Sequence, residues 1–357
     1  MSNNQPEPVY IESAMCPMPI RDRGHITLGH GSGGKLSHDL IAERFLPAFD
    51  NPVLRTGDDA GVVKLNACTQ LAISTDSHVV KPLFFPGGDI GRLAVCGTVN
   101  DVAMMGATPL YLTVGFILEE GLEIGLLERV IESMRATAVT ANVQIVAGDT
   151  KVVERGKADG IYINTTGVGL MLPATDISGA NARPGDVIIV SGTLGDHGIA
   201  VLSARGELGL ETDIQSDVAP LNKLILEILE ATDAVHVLRD PTRGGLATTL
   251  NEIARQSGVS ILLDEAALPI RPQVRAACEM LGFDPLMIAN EGKVVVIVPQ
   301  AAADTVLQVM HQSPYGQEAA VIGQVLAEPA GRVLLANSFG SKRIVDMLMG
   351  EILPRIC

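Results

Sequence analysis

The chain ends in a thiol, Cys357, carried by the tail Pro354-Arg355-Ile356-Cys357. Pro354 biases Leu353 away from helix, and the eight residues that follow Met349, through Cys357, span roughly 28 Å if extended at about 3.5 Å each, so this tail can enter a site or leave it. The terminal α-carboxylate disfavours the thiolate, and Arg355 alone stands close enough in sequence to offset it, so some other group has to activate the sulfur. A frayed end with an incidental cysteine is the ordinary alternative. A carboxyl-terminal prenylation signal would place its Cys four residues from the end, which this tail does not.

A second set of chemically capable residues is acidic. Asp58 and Asp59 lie in Gly57-Asp58-Asp59-Ala60-Gly61-Val62-Val63, Asp76 in Ser74-Thr75-Asp76-Ser77-His78, Asp101 beside Asn100, and Asp149 in Gly148-Asp149-Thr150-Lys151. Any one of them would ordinarily be a cap or turn residue. Together they suit hard-cation chemistry, in which carboxylate oxygens hold magnesium and the metal neutralises phosphate oxygens. Asn100 and Asp101 interrupt an otherwise small and apolar helical face, where a polar pair is costly to bury without a partner. Ahead of them, Gly29-His30-Gly31-Ser32-Gly33-Gly34-Lys35 resembles a P-loop until Leu36, where that motif requires Ser or Thr. Successive backbone N–H groups before a helix can still cradle phosphate; a flexible glycine linker is the alternative.

These residues need elements to hold them. The chain has 357 residues, 47% of them apolar, with 37 Gly, enough for two domains of ordinary α/β or α+β type. A net charge of −15 with 3% aromatics and no Trp argues against nucleic acid, and means that an acidic nucleotide needs metal ions. Five Cys (Cys16, Cys68, Cys96, Cys278, Cys357) without CxxC spacing indicate neither a disulfide framework nor a zinc site. The amino-terminal stretch lacks a basic region followed by an apolar run, and no apolar stretch reaches membrane-span length, so a cytoplasmic protein is expected.

Residues 1–25, rich in proline, read as a mobile extension. Leu36, Leu40 and Ile41 begin a helix after the glycines, and a helix-like segment starts near Asp89. Leu127, Val130, Ile131, Met134 and Ala138 give a helix of period 3.6. Residues 143–147 give a strand ending at Gly148-Asp149-Thr150-Lys151. With a boundary near 175, the organisation reads as residues 26–175, residues 176–340 and a tail of 341–357. In the second half, residues 187–190 form a strand, and Asp240 and Pro241 of Asp240-Pro241-Thr242-Arg243-Gly244-Gly245 suit N-cap and N1 positions of a helix through Leu246, Leu250 and Ile253. Asn290-Glu291-Gly292-Lys293 precedes a strand at 294–298, residues 301–313 look helical, and residues 332–336 look like a last strand.

The order of these motifs resembles the superfamily of aminoimidazole ribonucleotide synthetase, selenophosphate synthetase and thiamine monophosphate kinase. Within it, FFPGGDIGRLAVCGTVNDVAMMGATP, GDTKVVERG, SGTLGDHG and the terminal PRIC resemble the HypE family of hydrogenase maturation factors, the carbamoyl dehydratases. The resemblance covers about residues 25–357. It implies an α+β, two-domain aminoimidazole ribonucleotide synthetase-like fold, with amino-terminal sheets pairing into a barrel across a homodimer, a carboxyl-terminal α/β sandwich and an extended tail.

It further implies that a partner carbamoyltransferase, HypF, loads a carbamoyl group onto Cys357, that ATP drives its dehydration to a thiocyanate, and that the cyano group passes to the iron of a [NiFe]-hydrogenase through HypC and HypD. By family pattern Asp58, Asp59, Asp76, Asp101 and Asp149 serve magnesium-nucleotide binding, with Asn100 supporting, while Gly31, Ser32, Gly33, Gly34 and Lys35 line the phosphates. For proton removal the candidates are Glu291 and Lys151. Five aspartates would raise the lysine pKa, which favours Glu291 as base and Lys151 as charge partner; a structural ion pair is the alternative for both. Two other readings stay open: an ATP-dependent kinase such as a selenophosphate synthetase, although residues 29–35 lack the Cys it would need, and a non-enzymatic scaffold presenting the tail. Gly61, where many relatives carry Ala, and the amino-terminal extension depart from the pattern without touching the chemistry.

Overall fold

The computed structural model describes residues 25–173, 175–206, 212–348, 350, 353 and 355–357. Cys16, Pro354 and nearly all of the expected amino-terminal extension lie outside them. The glycine-rich segment leads into α1 (Lys35–Leu40), a π-helical turn (Ile41–Phe45) and α2 (Leu46–Phe49). Strands β1 (Gly61–Lys64) and β2 (Gln70–His78) follow, then a two-residue hairpin, β3 (Phe84–Phe85) and β4 (Gly88–Asp89). Next come α3 (Ile90–Met104), β5 (Ala107–Glu119), α4 (Ile124–Ala141), β6 (Gln144–Val153) and β7 (Ile161–Met171). The first sheet has the order β1-β2-β7-β5-β6, antiparallel except for the parallel β5–β6 pair at one edge.

Helix α3 starts where the Asp89 carboxylate accepts the N–H groups of Gly91 and Arg92. It is apolar on nearly every side, as expected of a helix enclosed between the sheet and its neighbours. Helix α4 carries the expected 3.6 period and stops at Asn142, whose left-handed backbone (φ 55°) closes its last turn. The strand expected to end at Gly148–Lys151 instead runs on to Val153, because β5 is long enough to offer a parallel ladder as far as Glu119. Asp149 and Lys151 are therefore residues of an edge strand.

The second half contains β8 (Asp186–Val190), α5 (Asp196–Arg205), α6 (Asn222–Ala231), β9 (Val237–Arg239), α7 (Gly245–Gln256), β10 (Ser260–Asp264), α8 (Pro272–Leu281), β11 (Val295–Pro299), α9 (Ala303–Gln312), β12 (Ala320–Leu326), β13 (Arg332–Ala336) and β14 (Lys342–Ile344). Seven strands form a mixed sheet in the order β14-β13-β10-β12-β8-β11-β9. Strands β8 and β11 are continuous apolar runs buried along their length, with α7 among the residues packed on one side and α6 and α9 on the other. Two expectations need correction. Helix α7 begins at Gly245 with Gly244 (φ 79°) as its N-cap, so Asp240 and Pro241 lie in the loop before it, which two left-handed glycines turn into the helix. Strand β14 also follows the expected last strand, pairing antiparallel with β13. Among the described residues no helix is long and apolar enough to cross a membrane.

Candidate active site at the docked carboxyl-terminal tail

The last three residues of the tail dock against the body of the protein. Ile356 pairs antiparallel with Val80, so that Val79 N–H donates to the Cys357 α-carboxylate (3.0 Å) and Lys81 N–H to the Arg355 carbonyl (3.2 Å). His197 Nε2 donates to the Ile356 carbonyl (2.8 Å), and Arg205 donates to the carbonyls of Arg355 (2.8 Å) and Lys81 (2.9 Å). The Arg355 and Ile356 carbonyls and the terminal carboxylate thus all accept hydrogen bonds. Ile356 is 5% exposed and belongs to the apolar cluster of the first domain, with Leu353 and Cys357 packed against it. The end of the tail is therefore part of a core: an isoleucine in the penultimate position supplies a side chain that the core accepts. Arg355 does not offset the thiol, because its guanidinium pairs with Asp159 (2.7 Å).

The Cys357 thiol lies within hydrogen-bonding reach of the Glu291 side chain, and burial together with that carboxyl pushes its pKa far above the usual thiol range against the pull of Arg243. Burial, Asp240 and Asp217 likewise raise Glu291 well above the ordinary carboxylate range, again opposed by Arg243. Glu291 is 4% exposed and its Oε1 has no hydrogen-bond partner. Its backbone is fixed by a rigid platform. Asp217 accepts the Glu291 N–H (3.0 Å) and pairs with Lys293 (3.0 Å), and Asn290 spans the Pro241 carbonyl and the Gly195 N–H. Burial opposes ionisation of Asp217, but Lys293 overcomes it and holds the carboxyl below its usual range.

The acidic residues divide. Asp58 accepts Ser178 Oγ (3.0 Å) and Gly179 N–H (2.8 Å), while Asp59 pairs with Arg239 (2.8 Å), whose other arm holds Glu252 (2.5 Å). Asp76 accepts from Thr98 (3.1 Å) and Asp101 from Ser74 (2.6 Å). Asp101 is raised by burial and then by Asp76, Asp240 and Asp59; Asp59 is raised by burial and by Asp240, with Arg239 opposing. Asp240, pushed up to about 7 chiefly by burial, completes this mutually repelling group. Among the described residues no three His, Cys, Asp or Glu converge closely enough to hold a metal ion. The donor chemistry nevertheless fits a hard cation, since Asp59 Oδ2 and Asp240 Oδ2 are buried without hydrogen bonds and the group repels itself when ionised.

Asp149 is not with them. It faces outward on β6, paired at 2.6 Å with Lys151, and both side chains are about 70% exposed. This ion pair holds Asp149 below its usual pKa. Asn100 is satisfied internally, donating to the Ala219 carbonyl (3.0 Å) and accepting Leu221 N–H (2.8 Å), which ties α3 to the second domain.

The glycine-rich segment folds against the tail's base. Gly33 N–H donates to Ser37 Oγ, Gly34 N–H to Ser32 Oγ and Lys35 N–H to the Leu348 carbonyl (2.7 Å), while Lys35 Nζ pairs with Asp39 (2.9 Å). A Cβ on Gly34 would sit 2.2 Å from that same carbonyl, so only glycine fits. Arg243 donates to the Gly31 carbonyl (2.9 Å). Gly31, Ser32, Arg243, Arg355 and Cys357 help to line a cleft of about 340 Å³.

Sequence reasoning missed four participants. Asp240 and Arg243 were visible in the motif before α7, but Asp240 read as a cap and Arg243 carried no role. His197 was visible only inside SGTLGDHG, and Asp217 has no local signal, since it matters through residues 74 and 76 positions later in the chain.

The AIR synthase related protein family matches with its N-terminal domain over residues 57–171 and its C-terminal domain over residues 183–336. The carbamoyl dehydratase HypE of Cupriavidus necator is 54% identical over 341 residues, covering 96% of this chain and 97% of that protein. A crystal structure of a HypE–HypF complex aligns with a TM-score of 0.82 at 50% identity, over 87% of this chain and 99% of that one. The hydrogenase maturation protein HypE in complex with ATP aligns with a TM-score of 0.78 at 51% identity, over 93% and 100%.

Proposed function

The chain belongs to the HypE family of carbamoyl dehydratases, hydrogenase maturation proteins built from the two AIR synthase related domains, and we propose that it dehydrates a carbamoyl group carried on Cys357 to a thiocyanate with ATP. The observation that carries this reading is the seat of the Cys357 thiol on the buried Glu291 carboxyl. With so close a set of dehydratase relatives, the kinase and scaffold readings are not favoured.

In the reaction the carbamoyl oxygen attacks the γ-phosphorus of ATP, ADP leaves, and one N–H proton is lost to give a phosphorylated imidate on sulfur. Loss of phosphate with the second N–H proton then gives the nitrile. Glu291 is the base: its raised pKa lets it hold a proton once taken, and Arg243 balances the charge that arises beside it. A buried site suits the elimination, because water would hydrolyse an activated imidate.

Asp59, Asp101 and Asp240, with Asp58 and Asp76 at their flank, are the carboxylates proposed to hold magnesium with the nucleotide. The metal would neutralise phosphate charge in the transfer. Gly31, Ser32, Gly33 and Gly34 border the phosphates in this reading, with Lys35 at their edge; Asn100 supports by fixing residues 219–221. Asp149 and Lys151 are proposed to act across a homodimer, in which the sheets of two chains meet. That reading is supported by the apolar residues left exposed on the first sheet, among them Tyr111, Ile117, Ile145, Val146, Val152 and Leu170. HypF as carbamoyl donor, HypC and HypD as cyanide acceptors and a cytoplasmic location complete the proposal.

The test is the mass of the carboxyl-terminal peptide after incubation with the carbamoyltransferase and carbamoyl phosphate, before and after ATP and magnesium. A carbamoyl adduct on Cys357 that loses one water only with ATP is expected. An adduct indifferent to ATP would mean a carrier, and no adduct would return the kinase reading.

A further inference from the structure

His197 has no part in the phosphoryl or proton transfers above, yet it is fully buried at the second position of α5 and touches the tail directly. Its hydrogen bonds define a direction. The Ile356 carbonyl can only accept, so Nε2 carries the proton on that side (2.8 Å). In the neutral ring Nδ1 is then an acceptor, and its neighbour at 2.8 Å, Ser216 Oγ, must donate to it. Ser216 is itself fixed: its N–H donates to the Pro86 carbonyl (2.8 Å) and its Oγ accepts Val218 N–H (3.1 Å). The Phe85 ring meets the imidazole edge-on at 5.4 Å and blocks rotation out of this arrangement.

We infer that His197, oriented by Ser216, is the positioning residue that seats the tail at reaction depth by holding the carbonyl of the peptide unit that joins Ile356 to Cys357. This rests on the dehydratase reading of Cys357, and it adds a requirement which that reading lacks. The ladder to Val79 and Lys81 and the Arg205 bond to the Arg355 carbonyl leave the carbonyl of the Ile356–Cys357 peptide unit unheld, and rotation of that unit would swing the thiol away from Glu291. A donor approaching from α5, outside the ladder, closes that freedom. Glycine at 198 lets α5 pack closely on the Ile288–Ala289 segment that leads into Glu291, since a Cβ there would lie 2.4 Å from Ile288 Cγ2.

The test uses the full-length protein with His197→Leu, which removes the donor while filling the space, His197→Gln, whose terminal amide can donate from a similar position, and Ser216→Ala. Two quantities are read for each: the rate at which iodoacetamide modifies Cys357, followed by peptide mass so that the other cysteines do not interfere, and the single-turnover rate of water loss from carbamoylated Cys357 with saturating ATP. Alkylation in His197→Leu should rise roughly fivefold, the factor corresponding to one hydrogen bond of ordinary strength, and the dehydration rate should fall at least as much at unchanged ATP affinity. His197→Gln should restore both, and Ser216→Ala should lie between.

Wild-type alkylation and dehydration rates in His197→Leu would overturn the assignment while leaving the dehydratase reading intact. Equal losses in His197→Leu and His197→Gln would also overturn it, since that pattern marks packing rather than a donor. If His197→Leu fails to fold, the Gln and Ser216→Ala variants decide: wild-type values for Ser216→Ala, or a loss in His197→Gln as large as that caused by removing Cys357, count against the latch. Absence of water loss in the wild type would sink the dehydratase reading instead, and the alkylation contrast would still judge the latch.

Discussion

Glu291 and Asp217 are joined backbone to side chain: the Glu291 N–H donates to Asp217 Oδ1 at 3.0 Å, while Lys293 Nζ sits 3.0 Å from the other Asp217 oxygen. One buried aspartate thus fixes the residues on both sides of Gly292. It keeps its charge because a lysine is bound to it, and it leaves Glu291 as the buried carboxyl beside the thiol that can take up a proton.

Glu291→Gln preserves the shape of this seat and removes the base. Dehydration of carbamoylated Cys357 should fall by about 10²- to 10⁴-fold, the usual contribution of a placed general base, with carbamoyl loading and ATP binding retained. Quench-flow with peptide mass detection measures it; a loss under tenfold would assign the base elsewhere.

Gly292→Ala tests the platform rather than the base. A Cβ at 292 would lie 1.8 Å from the Asp217 carbonyl oxygen and 3.0 Å from Ala219 N, so backbone must move. A destabilisation of about 1–3 kcal/mol by denaturant titration is expected, as for other overpacked sites, together with slower dehydration. Unchanged stability would show that the 217–219 segment yields freely.

His78 gives a stability signature in acid. Burial lowers its pKa to about 4, with Asp76 pulling upward and Arg243 downward, and its Nε2 meets Thr165 Oγ1 at 3.2 Å. The unfolded chain binds this proton near pH 6.5 and the folded chain only near 4, so stability from this residue is complete above 6.5 and is lost as the pH falls toward 4. Between pH 7 and pH 5 the wild type should lose about 2 kcal/mol that His78→Gln does not. Parallel urea titrations of the two proteins at both pH values measure the difference, and parallel curves would place the histidine's pKa near its ordinary value.

The proposed homodimer rests on β6 and its sheet, so Val146→Asp with Val152→Asp should shift the protein from dimer to monomer in light scattering. Both valines are more than half exposed in the single chain, so the folded monomer should tolerate the change. A dimer that survives both charges would have its interface elsewhere.

Periodicity exposed α4, α7 and the buried strands β8 and β11 because each keeps one spacing from end to end. The end of β6 was hidden, since Gly148 and Asp149 read as a turn until the ladder of β5 is known to continue beside them. The site divided in the same way. Cys357 and Glu291 stood out by type and place, whereas Asp217 and His197 act through contacts spanning 74 and 159 residues of sequence, which no local pattern encodes. Asp240 was visible but read as a cap, because an aspartate before Pro and a helix fits that role until its carboxyl is found buried and unpaired.

The antiparallel bridge at Val80 also equips the protein with an internal gauge. Val79 and Lys81 give their amide protons to the tail and to no strand of the sheet, so deuterium should enter these two positions at a rate set by how often the last three residues lift away. Exchange at two backbone sites would then report each departure and return of the cysteine in unlabelled, unmutated protein, in every state of nucleotide and partner binding.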